Sequence, residues 1–299
     1  MIRSVFSAHL LLFIATCFSS MNFSIAKIVM PSELGSNSIV LTRIVVAALA
    51  FFIMDAFSSK EKYIIPIHDK VRFLMCGLFG VALNQLFLYK GLSITSPINS
   101  SLIMAIIPIL ILVLSALFLR NRPTWKQYLG VGISALGAYY LIAHSHKNSS
   151  NSSLEGDFLI FLNASCYAVF MVIAKPLLEK YNPLFVTKWM FAIAALVVFP
   201  FAIGDTVSSN WLDLSTTGWL CFAYIIVFAT VFNYYIGNAT LQWISPVTAG
   251  SYIYLQPFMA SIFAVVIGHD VLSTEKIIGG TLILSGVVLT SNFLNTTKL

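Results

Sequence analysis

Ten apolar runs alternate with polar connections along this chain, near residues 5–27, 37–57, 71–91, 97–119, 124–143, 157–178, 184–204, 216–238, 246–268 and 275–294. A helix that crosses the hydrocarbon core of a bilayer needs about 20 mainly apolar residues, and each run meets that length. The pattern predicts an all-α membrane protein with ten transmembrane helices. Two connections are long and polar: 58–70, and the Ser/Asn-rich 144–156, HSHKNSSNSSLEG, where the two halves of the chain should join. The first run follows Arg3 and continues through SSMNFSIAK without a small-residue cleavage site. It reads as a first helix and not as a signal peptide.

One stretch of this pattern returns. Asn84–Pro108 reads NQLFLYKGLSITSPINSSLIMAIIP, and Asn233–Pro257 reads NYYIGNATLQWISPVTAGSYIYLQP. Superposed without a gap, they pair Asn84 with Asn233, Leu92 with Leu241, Ser96 with Ser245, Pro97 with Pro246 and Pro108 with Pro257. Carried further, Gly130 meets Gly279 and Gly137 meets Gly286. Identity is otherwise low, but prolines, glycines and an in-membrane asparagine fix backbone shape or polar pairing, where leucines would not. The chain therefore reads as two copies of a unit of about five helices, residues 1–147 and 148–299. An odd number of helices per unit sets the copies in opposite orientations, as inverted repeats. With the N-terminus in the cytoplasm, the inner side carries eleven Lys and Arg against four outside, which places both termini in the cytoplasm.

Composition narrows the class. Of 299 residues, 59% are hydrophobic and 9% charged, with a mean hydropathy of +0.90; a soluble domain carries roughly a quarter charged residues. The net charge of +6 lies in short loops between apolar runs, so it speaks for orientation in a membrane and not for nucleic acid. Cys17, Cys76, Cys166 and Cys221 sit inside apolar segments without metal-ligand spacing, as buried apolar thiols.

Polar residues inside the membrane are expensive unless they face protein or water. They gather in six helices: Asn22 in the first, Asn84, Gln85 and Tyr89 in the third, Asn99 in the fourth, Asn163 in the sixth, Asn233, Tyr234 and Asn238 in the eighth, and Tyr252, Tyr254 and Gln256 in the ninth. Helices 2, 5, 7 and 10 have far fewer amides, so the six are expected to enclose a polar centre. The plainer reading of any single amide is an interhelical hydrogen bond worth roughly 1 kcal/mol, and of Tyr89 and Tyr254 an interfacial belt. Pro108 and Pro257 are expected to kink their helices mid-way, leaving the carbonyls of Met104 and Ile253 without their usual partners. Packing kinks are the plain alternative. Pro97 and Pro246 read as helix-start signals. Gly130, Gly137, Gly279 and Gly286 are expected to let helices approach closely.

Charges within the helices carry a second expectation. Arg43 in LTR and Lys188 in VTK occupy matching places in helices 2 and 7, and Lys27 and Lys175 follow the shared triplet IAK in helices 1 and 6. They either snorkel or cap helix ends, or guard the mouths of a pathway, Lys27 and Arg43 near the outer face and Lys175 and Lys188 near the inner. All acidic residues lie in loops or at helix ends, with Asp55 and Asp205 nearest the membrane, and no histidine is expected mid-helix. A proton-driven pump commonly keeps such a group in its bundle, so a facilitated or substrate-driven process is favoured. A membrane-embedded enzyme would need a nucleophile with a base, or metal ligands, and no such set or P-loop is found. A receptor without transport is the remaining rival.

The amide-rich third and eighth helices and the SP-x(10)-P pattern at 96–108 and 245–257 form a recognisable set with the glycine-spaced fifth and tenth helices and the basic residue early in helices 2 and 7. Together they resemble the EamA-type transporters of the drug/metabolite transporter superfamily. The resemblance covers nearly the whole chain, as units at about 5–143 and 157–294. It implies ten helices in two inverted five-helix repeats and a central cavity walled by helices 1, 3, 4, 6, 8 and 9. It also implies a multi-pass protein of a bacterial inner membrane that exports or exchanges amino acids, other metabolites or drugs. The first helix departs from the family's frequent tryptophan-glycine pair, having FSSM at 18–21, so Asn22 is the feature carried over there. The expected substrate site is Asn22, Asn84, Gln85, Asn163, Asn233, Tyr234, Tyr252 and Gln256, and the expected gating set is Lys27, Arg43, Pro108, Lys175, Lys188 and Pro257. The expected partners are a small-molecule substrate and the lipid bilayer. A monomer is compatible with this reading, and neither cofactor nor metal is required.

Overall fold

The computed structural model describes residues 5–30, 34–58, 63–95, 100, 103–119, 123–145, 153–266 and 274–290. Among these residues the chain forms ten helical rods and no strand. The first half holds α1 (Val5–Val29), α2 (Ser36–Ala56), α3 (Ile67–Ile94), α4 (Ile107–Phe118) and α5 (Trp125–Ser145). The second holds α6 (Leu154–Lys180), α7 (Pro183–Ser208), α8 (Thr216–Thr240), α9 (246–266) and α10 (Thr274–Thr290). Six of the rods, α1 to α3 and α6 to α8, contain apolar stretches long enough to cross a membrane, and α4 and α10 contribute shorter ones.

Local chemistry sets several helix starts. The side chains of Ser153, Asn182, Ser215 and Ser245 accept the amides of Gly156, Leu184, Gly218 and Thr248, each satisfying a donor that has no intrahelical partner. Pro183 and Pro246 occupy the first helical position, where the missing N–H costs nothing. Pro97, expected to play the same part, lies outside the described residues.

The helices of one half pack on those of the other. A methyl group placed on Gly130 would lie 2.6 Å from the Gly286 carbonyl oxygen, and one on Gly137 2.9 Å from that of Gly279. Only glycine permits such backbone contact between α5 and α10. The sequence equivalents are Gly130 with Gly279 and Gly137 with Gly286, so each glycine meets the non-equivalent one of the other half. This exchange requires α5 and α10 to be antiparallel and relates them by a two-fold axis crossing the rods. The pair α2 and α7 is antiparallel too: Asn37, at the start of α2, donates to Asp205 near the end of α7 at 2.6 Å. At the other end Asp55 meets Lys188 at 2.5 Å.

Two irregularities recur at equivalent places. A π-helical turn interrupts α3 at Leu78–Ala82, and another interrupts α8 at Val227–Phe232. The second ends directly before the repeated asparagine, Asn233, and the first ends one residue short of its equivalent, Asn84. A π-turn frees main-chain carbonyls, and the equivalent oxygens of Gly80 and Ala229 both accept from side chains: Tyr234 on the first at 3.1 Å, Arg43 on the second at 3.4 Å.

The second irregularity corrects the expected proline kinks. The chain turns at Ala105 and Ile106 before α4 begins at Ile107, with Pro108 in its first turn. In α9, the segment Pro246–Ser251 passes through a 3-10 turn, Tyr252–Tyr254, into Leu255–Val266, whose first turn contains Pro257. A proline in a first turn removes no intrahelical bond. The first-half helix therefore breaks ahead of its ring, and α9 tightens to a 3-10 turn ahead of its own.

Candidate functional site

Both halves contribute to one cavity of about 140 Å³. Its walls come from α1, α3, α4, α6, α8 and α9, the six helices in which amides were expected to gather, joined by Arg43 of α2. Asn22, Asn84, Gln85 and Asn163 line it, as do Asn233, Tyr234, Tyr252 and Gln256. The eight residues singled out by sequence as a substrate site thus share one void. Apolar surface from Leu12, Met104, Ile107, Phe170 and Met171 completes it.

Much of the polar wall is a single network. Asn84 Nδ2 donates to the main-chain oxygen of Asn163 at 3.3 Å, and Asn163 Nδ2 returns a bond to that of Asn84 at 2.7 Å, tying α3 to α6. Gln85 Nε2 donates to Asn84 Oδ1 at 2.7 Å and to the Tyr234 hydroxyl at 2.6 Å. Tyr234 in turn donates to Gly80 O at the π-turn. On the facing wall Ser19 donates to Asn233 Oδ1 at 2.9 Å, and the Tyr252 hydroxyl meets His9 Nδ1 at 2.8 Å.

Arg43 is not where the sequence put it. It was expected near a mouth; it is 2% exposed and forms part of the cavity wall. Its Nε and Nη2 donate to Thr230 Oγ1 at 2.9 and 2.6 Å, and its Nη1 donates to the Tyr89 hydroxyl. Thr230 itself donates to Ile225 O at 2.7 Å, five residues back, a reach the π-turn provides. The guanidinium also lies 4.9 Å from the centre of the Tyr89 ring. Tyr89 is therefore buried beside an arginine and is no interfacial belt residue.

The other expected gating residues separate. Lys188 is paired with Asp55 and lies 5.0 to 5.5 Å from the ring centres of Phe52, Phe185 and Trp189. Lys175 donates to Leu241 O at the end of α8 at 2.6 Å and pairs with Glu179 at 3.1 Å, which is a C-terminal cap. Lys27 falls in α1, and its side chain lies outside the described residues. Pro108 and Pro257 start helical segments next to the cavity-lining Ile107 and Gln256.

Sequence reasoning missed three features here. His9, in the second turn of α1, is buried and meets Tyr252, a role that its place in the sequence did not signal. Thr230 carried no signal, since a threonine in an apolar run is unremarkable without its π-turn. Asn238, named among the polar residues but left off the site, lines the cavity while donating to Thr187 Oγ1 at 2.8 Å.

A sequence profile of the EamA-like transporter family matches residues 6–143 and 154–292. The uncharacterized transporter YyaM of Bacillus subtilis is 24% identical over 94% of this chain and 92% of its own. An uncharacterized transporter of Archaeoglobus fulgidus is 25% identical over 83% of this chain and 85% of its own. A probable terminal-alkyne amino-acid exporter of Streptantibioticus cattleyicolor is 24% identical over 85% and 84%. A crystal structure shares the fold with a TM-score of 0.73 over 98% of this chain and 100% of that one, at 16% identity. The two profile matches span both halves of the chain: this multi-pass membrane protein belongs to the EamA-like transporter family, within the drug/metabolite transporter superfamily, and is a transporter and not an enzyme.

Proposed function

We propose that this chain is a secondary carrier that exports or exchanges a small amphipathic metabolite such as an amino acid. In this reading all ten rods span the membrane as two inverted five-helix repeats, 1–147 and 148–299, with both termini in the cytoplasm. The residues lining the cavity from both halves form the binding site, and the halves exchange conformations around it. The helix break ahead of Pro108 and the 3-10 turn ahead of Pro257 are the moving joints.

The observation that carries this reading is the shared cavity, which sets amides and tyrosines against apolar side chains. A void of that composition suits a solute with one polar and one apolar end. Its volume of about 140 Å³ is close to that of an engineered cavity of about 150 Å³ that admits benzene. It lies well below the roughly 300–1,000 Å³ of pockets for drug-sized ligands. That comparison favours a small metabolite over a drug. The relative described as an amino-acid exporter adds support for the substrate class.

Purified protein in sealed vesicles, loaded with unlabelled amino acid and given the labelled form outside, tests the reading. Saturable uptake driven by counterflow is the expected result. Binding without flux would identify a receptor, and flux without saturation or counterflow a channel; either overturns the carrier.

A further inference from the structure

Several polar groups of the cavity have nothing in the protein to satisfy them fully. Arg43 is buried, and its partners are neutral: a threonine hydroxyl, a tyrosine hydroxyl and the Ala229 carbonyl. Among the described residues no carboxylate pairs with it. The other half answers the same problem with an acid, since Lys188 is held by Asp55. In the register that superposes LTR on VTK, the residue of α7 that mirrors Asp55 is Pro200. The two-fold arrangement therefore pairs one cation and leaves the other facing the void.

Two acceptors are in the opposite position. Gln85 Oε1 and Asn163 Oδ1 are buried without a hydrogen-bond partner, on residues 5% and 1% exposed. Their orientation follows from the network. Main-chain oxygens only accept, so the asparagine nitrogens must be the atoms that face Asn84 O and Asn163 O. Asn84 Oδ1 is then left to accept from Gln85 Nε2. Turning any of these amides over would set acceptor against acceptor. A buried charge without a counter-charge and a buried acceptor without a donor are each costly. One ligand that carries both an anion and an N–H cation relieves both.

The spacing agrees. Gln85 and Tyr89 are four residues apart on one face of α3, about 6 Å along its axis, and Tyr89 is the residue that holds Arg43. Arg43, Gln85 and Asn163 line the same cavity, and the residue that holds Arg43 lies one helical turn from Gln85. We propose that the cavity binds the head of a zwitterionic α-amino acid, with its carboxylate on Arg43 and its ammonium on the side-chain oxygens of Gln85 and Asn163. The amino-acid side chain then points to the apolar wall of Leu12, Met104, Ile107 and Phe170. This inference rests on the carrier reading above and names the groups that select its substrate.

The test uses full-length protein in proteoliposomes loaded with a cell extract, with efflux of each solute followed by mass spectrometry. Competition is then measured between the best-moved L-amino acid, its decarboxylated amine and its 2-oxo acid. The expected result is that an L-amino acid moves and that both analogues compete at least tenfold more weakly. Arg43→Leu should erase discrimination against the amine, and Gln85→Leu discrimination against the 2-oxo acid. Arg43→Lys keeps the charge and should retain part of the preference, which separates recognition from misfolding; near-wild-type melting in detergent checks the same point. Efflux of other solutes without amino acids, or unchanged discrimination in folded Arg43→Leu, overturns the two-pole site and leaves the carrier standing. Protein-dependent efflux of no solute at all overturns the carrier itself.

Discussion

Asn84 and Asn163 exchange hydrogen bonds across α3 and α6, each side-chain amide donating to the other residue's main-chain oxygen, at 3.3 and 2.7 Å. A single interhelical bond in a membrane protein averages about 0.6 kcal/mol and reaches about 1.7. This reciprocal pair sits at the upper end, because removing either side chain strands a buried carbonyl. Asn163→Ala should therefore lower stability by about 1–2 kcal/mol. Alanine keeps its main-chain oxygen, so each change removes one bond and leaves the other in place, and the losses of Asn84→Ala and Asn163→Ala should combine nearly additively in the double variant. Unfolding in detergent reads each loss, and Asn163→Ala as stable as the wild type would refute the pairing.

The contact of α5 with α10 gives a sharper contrast. A methyl group on Gly286 would lie 2.5 Å from the Gly130 carbonyl oxygen, a backbone atom that cannot swing aside, whereas one on Gly132, on the exposed side of α5, meets nothing within 4 Å. Gly286→Val should force the two helices apart and sharply reduce the yield of folded protein. Gly132→Ala should be neutral or stabilising, by up to about 1 kcal/mol, as alanine is the better helix former. Melting temperatures of the two purified variants check this, and equal behaviour would count against glycine-mediated packing.

How much of this was readable in the chain depends on the kind of residue. Gly130, Gly137, Gly279 and Gly286 announced themselves because repeated glycines in apolar helices mean close approach, and the antiparallel exchange follows once the copies are inverted. The amides were legible for a similar reason: Asn84, Asn163 and Asn233 cost too much against lipid to lie anywhere but inside. The π-turns were not legible. LFGVA at 78–82 and VFATVF at 227–232 look like ordinary apolar helix, and only three-dimensional packing reveals the extra residue in each turn. Arg43 was misplaced as a direct result, because its seat is the carbonyl and hydroxyl that the α8 π-turn presents.

Lys188 and Asp55 join α7 to α2, with the lysine side chain 10% exposed and the carboxylate 30%. Breaking a fully buried pair costs about 3–5 kcal/mol, and an exposed one contributes about 0–1. The partly open carboxylate puts this pair between, at about 1–3 kcal/mol. Asp55→Asn should lower stability by that amount, and Lys188→Met should lose less after the same carboxylate is neutralised. A cycle of the two single variants and the double measures the coupling, and none above about 0.5 kcal/mol would reduce the pair to a surface contact.

Thr230 is the residue on which the placement of Arg43 turns. Its hydroxyl accepts from two guanidinium nitrogens and donates to Ile225 O across the π-turn. Valine has nearly the same shape and none of these bonds, so Thr230→Val leaves buried donors and a buried carbonyl unpaired, at about 1–3 kcal/mol for each group so stranded. A fall in melting temperature alone would say only that the site is polar. The informative readout is selectivity: with its anchor gone, Arg43 keeps only Tyr89 and the long bond to Ala229, so substrate affinity should fall even where the protein remains folded. Thr230→Ser restores the hydroxyl and should restore both stability and affinity. If Thr230→Val instead transports with unchanged affinity, the guanidinium is held without its seat, and the π-turn of α8 is an accident of packing and not part of the binding site.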